Sequence, residues 1–151
     1  MIRTHHSRWI AFAALAVSSA AAQESPAAKQ EMDRLRGTFS MLAGMADGAE
    51  MPATMARTMK RVAEGSVTTV TMAGSLYLKA KFSVDPSASP KTIDYDMTGG
   101  FTAGKKQLGI YRTSGDTVAF CFGSPGSARP SAFESKPGSG VTCTTWKRDQ
   151  P

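Results

Sequence analysis

Two carboxylates two residues apart, Asp94 and Asp96 in "KTIDYDMT", are the first candidates for chemistry. On a strand they share one face, as acid/base work or a calcium site would require. The same alternation sends Ile93, Tyr95 and Met97 to the other face, so the two acids are expected on a solvated outer wall. Arg129 in "SARPSAF" carries the planar fork that grips a carboxylate or phosphate through two bonds. The same donors can cap loop carbonyls at a barrel end. Met41, Met45, Met51, Met55 and Met59 offer thioethers, soft ligands suited to Cu(I). Methionine also fills gaps in apolar interiors, which is the expected use here. Lys136 beside "PGSG" lacks the Walker spacing, and "GGFTAGKK" reads as a loop. Cys121 has no base to activate it as a nucleophile.

The chain has 151 residues, a length for one domain. Residues 1–22 have the layout of a secretory signal peptide. "MIRTHHSRW" is basic, "IAFAALAVSSAAA" is apolar but short, and Ala20-Ala21-Ala22 fits a cleavage site before Gln23. An N-terminal anchor helix is the alternative. No cysteine follows the apolar run, so no lipoprotein anchor is expected. Both histidines, His5 and His6, leave with the signal. A mature chain without histidine has no Ser-His-Asp or Cys-His catalysis, no ordinary zinc site and no imidazole switch. The net charge of +6 falls further once Arg3 and Arg8 are removed. This mild, dispersed excess suits solubility better than nucleic-acid binding. The expected location is the periplasm or the extracellular medium, with no stable membrane anchor after cleavage. There Cys121 and Cys143 are expected to form one disulfide, adding about 3 kcal/mol. Two separate thiols are the alternative.

Residues 23–33 are polar and small and read as a flexible leader, and 34–151 form the domain. Met51, Met55 and Met59 fall four apart, and Pro52 suits a first helical turn, so one short helix is predicted there. After Gly65 the period changes to two. "SLYLKAKFSV" sends Leu76, Leu78, Ala80, Phe82 and Val84 one way. With "GTFSML", "KRVAE", "VTTVTM", "KTIDYDMT", "KKQLGIYR", "DTVAFCF" and "VTCTTWKR", about eight strands are expected. Short strands with Gly/Pro turns suggest a mainly β antiparallel barrel or sandwich, and the barrel is the expected form. A two-residue turn at Ser114-Gly115 would pair Tyr111 with Val118 and Gly109 with Phe120. Tyr111, Phe120 and Phe122 then share a face. A bond between Cys121 and Cys143 on the outer wall would bring Trp146 to that aromatic face.

The stretch from "DPSASPKTIDYDMTGG" to "VTCTTWKR", opened by "LRGTF", resembles an uncharacterised lipocalin-like domain family abundant in planctomycete-type bacteria. The resemblance covers most of residues 34–148. Its most specific parts are D-P-x-x-x-P-K-x-I-D, L-G-I-Y-x-x-x-G-D-x-x-x-x-C and R-P-x-x-F. It implies a small exported β-barrel and no activity. A weaker similarity to lipocalins proper lies in Gly37-Thr38-Phe39, with Phe for their tryptophan, and in a last-strand cation, Lys147 or Arg148, of which Arg148 is the better fit for barrel-end packing over Phe39.

The expected function is a binding module: a small apolar molecule in a lumen lined by Tyr95, Tyr111, Phe120, Phe122 and Trp146, with Arg129 as a further contact. A structural or interaction domain of the envelope with a filled barrel is the alternative, and Cu(I) handling by methionine is a weaker one. No cofactor, no resident metal and no catalytic residue is expected. The only partner implied is a small hydrophobic ligand, with no nucleic acid.

Overall fold

The computed structural model describes residues 24–151, so the signal segment expected at 1–22 lies outside them. The chain runs α1 (Pro26–Leu35), β1 (Gly37–Ala46), β2 (Ala49–Glu50), α2 (Ala53–Ala56), β3 (Met59–Glu64), β4 (Val67–Met72) and β5 (Ser75–Asp85). It continues with β6 (Thr92–Gly100), β7 (Lys106–Ser114), β8 (Thr117–Phe122) and β9 (Thr142–Arg148). Each long strand pairs antiparallel with the next, and β9 returns to β1. Eight strands thus form a closed up-and-down barrel, with β2 a two-residue flap on β1. Closure removes the unpaired edges that an open sheet would expose.

The period of two holds along most of the wall, but not at the start of β5. A bulge between Val70 and Thr71 puts Leu76, expected to face inward, opposite Thr71 on the outer side, where it is half exposed, and Tyr77 lines the lumen instead. Ile93, Tyr95 and Met97 are buried with Phe82 and Ala80, while Asp96, Lys79 and Lys81 point out. Tyr111, Val118, Phe120 and Trp146 complete the inner layer. Ile110 and Cys121 are buried as well, but on the outer wall. Residues 123–141 run across this side. Arg129 donates to the Gly109 carbonyl at 2.7 Å, and Phe133 lies 4.4 Å under the Arg112 guanidinium.

The hairpin β7–β8 turns one residue later than expected, at Gly115-Asp116. Tyr111 pairs with Phe120, and Gly109 with Phe122. A shift of two in the pairing partner preserves every face, because side chains alternate with that period. A Cβ on Gly109 would meet the Phe122 ring at 2.5 Å, so glycine here makes room for an aromatic ring.

Two expectations about helices are corrected. The leader expected to be flexible over 23–33 is mostly α1, a ten-residue helix. Ser25 caps it by accepting from the Ala28 N–H at 3.1 Å, and Pro26 opens the first turn. Ala28, Glu31, Met32 and Leu35, at i, i+3, i+4 and i+7, form one buried stripe. The helix expected across Met51–Met59 shrinks to the four residues of α2, with Pro52 before rather than inside it. Met59 belongs to β3 and is buried, whereas Met55 is 43 % exposed. The methionines therefore do not share a helical face, and the described residues contain two short helices rather than one.

Candidate functional site

The barrel has two unlike ends. At one end β1, β4, β6 and β8 begin, and α1 lies across it. Glu31 is the buried anchor. Its carboxylate accepts from the Tyr111 hydroxyl at 2.9 Å and pairs with Lys91 and Arg34, each at 3.1 Å. Burial, followed by the bond to Glu31 and the charge of that carboxylate, pushes the Tyr111 hydroxyl well above the usual phenol range. The carbonyls leaving the helix are also taken up. Arg148 donates to the carbonyls of Arg36 and Arg34 at 2.6 and 2.7 Å, and Arg61 donates from inside the barrel to that of Leu35 at 2.8 Å. Cations at a helix C-terminus meet both the unpaired carbonyls and the negative end of the dipole.

Phe39 connects these two arginines. Arg148 stands 4.6 Å and Arg61 5.3 Å from its ring centre. Gly37, at φ +115°, leaves space for the Arg148 guanidinium that any side chain would fill. Gly37, Phe39 and Arg148 are thus one packing unit at the closed end.

At the other end lies a cavity of about 120 Å³. Its floor and walls are Phe120, Phe122, Tyr95, Trp146, Val70 and Arg61. Met41, Met51, Met59, Tyr77, Gln107 and Thr142 surround them, several of these partly exposed at the rim. The aromatics brace one another: Tyr95 and Phe122 lie 4.3 Å apart, and Phe120 and Phe122 6.0 Å. The Trp146 indole N–H donates to the Thr144 hydroxyl at 2.8 Å.

Among the aromatics named from the sequence, Tyr95, Phe120, Phe122 and Trp146 line this one space. Tyr111 points inward too, but its hydroxyl is held by Glu31 at the closed end, so it is no part of the cavity. Arg129 is corrected outright. It sits outside the barrel, ion-paired with Asp94 at 2.7 Å and bonded to the β7 backbone. Asp94 is on the outer face, and loop 123–141 covers that wall, so Arg129 fastens a loop and cannot reach the lumen. Asp96 lies on the same outer face, exposed, 3.7 Å from Lys106. Cys121 and Cys143 face each other across β8 and β9 and are disulfide-bonded.

The residue missed from the sequence is Arg61. Its burial was legible in "MKRVAE", where Met59, Arg61 and Ala63 alternate with Lys60, Val62 and Glu64. A cation at an inward position of a polar-looking strand does not draw the eye. A second outer groove, beside the disulfide between Met45, Arg112 and Phe133, is larger but open.

The disulfide is the chemistry of an oxidising compartment. Among the described residues no helix is long and apolar enough to cross a membrane. No protein-family model, curated protein or solved structure matches the chain.

Proposed function

We propose that this chain is an exported binding module of the lipocalin-like kind suggested by its motifs, which takes a small apolar molecule into the open end of the barrel. In this reading it holds its ligand rather than transforming it, and it works free of nucleic acid and of the membrane. One observation carries the proposal: a barrel closed at one end by a docked helix keeps an aromatic-lined cavity at the other. The space is smaller than the roughly 300 Å³ typical of drug-sized ligands. It is closer to the roughly 150 Å³ that admits a benzene ring in an apolar interior. Short-chain or single-ring molecules are therefore the class it suits, and the flexible thioethers of Met41, Met51 and Met59 allow the walls to adjust. Cu(I) handling fits less well, because these three methionines share their cavity with the positive charge of Arg61.

The test is a titration with benzene, followed by methyl NMR of the methionines. Signals of Met41, Met51 and Met59 should shift while those of Met45 and Met55, on the outside, stay in place. A protein in which no cavity methyl responds has a filled barrel, and the interaction-domain alternative then replaces this one.

A further inference from the structure

We infer that the cavity is built for an anion: the ligand carries a carboxylate-type head group that Arg61 receives at the inner end of the cavity. This rests on the proposal that the cavity binds a small molecule, and it specifies which kind. Arg61 is 1 % exposed, and one of its terminal nitrogens is committed to the Leu35 carbonyl. Its Nε and Nη2 are buried without any protein partner. Among the described residues no acidic side chain pairs with it, and none lines the cavity. Burying a guanidinium without a counterion is costly, because water that solvated the charge has been removed.

The surrounding rings compensate in part. Arg61 stands 5.3, 5.8 and 5.1 Å from the centres of Phe39, Phe82 and Phe120. Ring faces attract a cation but offer no acceptor lone pair, so two donor groups remain unused. Nε and one terminal nitrogen form the fork that matches a carboxylate. The position of Arg61 also sets the ligand's direction. Along β3 it lies two residues further from the rim than Met59, so the head group goes in first and the apolar tail lies against Phe122, Trp146 and the methionines.

Hexanoate and 1-hexanol separate the two levels of this argument, since they share a tail and differ in charge at neutral pH. Hexanoate should bind the wild-type protein about tenfold more tightly or better, the worth of a charge-assisted pair. It alone should move the Arg61 Nε–H resonance. Equal affinity, or an Arg61 signal that ignores hexanoate, overturns the anion assignment and leaves the cavity standing. Binding of neither probe removes both. Arg61→Met should abolish the preference while 1-hexanol still binds. Because the wild-type comparison and the Arg61 resonance need no variant, a misfolded Arg61→Met would not shield the inference.

Discussion

The two ends of the barrel use the same wall for opposite purposes. The closed end is held by directional bonds: Glu31 to Tyr111 and Lys91, and three helix carbonyls to Arg61 and Arg148. The open end is lined mainly by methionines and aromatic rings, whose contacts, apart from the Trp146–Thr144 bond, are largely non-directional. Directional bonds specify one arrangement, whereas thioethers tolerate several. The contrast teaches how a small barrel reconciles stability with binding. Helix α1 fills and locks one half, and the ligand needs only the other. Arg61 belongs to both, with one nitrogen on the helix and two facing no protein partner.

The comparison can be broken most severely at Leu35, which is fully buried under α1. Leu35→Ala should lose about 2–5 kcal/mol, read from the denaturant midpoint. A loss near zero would mean that the helix merely rests on the barrel.

Tyr111→Phe comes next. It leaves buried Glu31 with one donor fewer, and about 1–3 kcal/mol should be lost at neutral pH. The two proteins should also part at alkaline pH. The folded Tyr111 hydroxyl holds its proton more tightly than it does in the unfolded chain. Its stabilisation is complete below the ordinary phenol value of about 10 and is lost as pH climbs beyond it. Wild-type stability should therefore fall over that range more steeply than that of Tyr111→Phe. Parallel curves would show that the hydroxyl is not shielded.

The smallest effect is expected at the rim. Met51 is only partly buried, and Met51→Ala should cost less than about 1 kcal/mol. By widening the mouth it should improve binding of a longer alkyl probe relative to hexanoate. A large destabilisation would instead make the rim as structurally essential as the closed end.

Much of the wall was legible as a pattern. "KTIDYDMT", and "SLYLKAKFSV" from Leu78 onward, declare their inner and outer faces, and the Cys121–Cys143 bond follows from strands whose outward residues meet. The leader misled because Lys29, Gln30, Asp33 and Arg34 mask a narrow stripe at Ala28, Met32 and Leu35. Ser25-Pro26 was the readable start signal. Arg129 misled for the opposite reason: its chemistry suits a ligand, but a loop position says nothing about which side of a wall the loop crosses.

What the chain determined alone is which way the residues of an unbroken strand point, because backbone stereochemistry makes successive side chains alternate; where a bulge intervenes, as before Leu76 and Tyr77, the fold decided. Which end would be closed, and that Arg61 would be enclosed without a counterion, were decided only by the fold. Those outcomes depend on contacts between residues as far apart as Arg36 and Arg148, 112 positions along the chain. Local spacing cannot encode such a meeting; it arises when the ribbon closes and excludes water from whatever lies within.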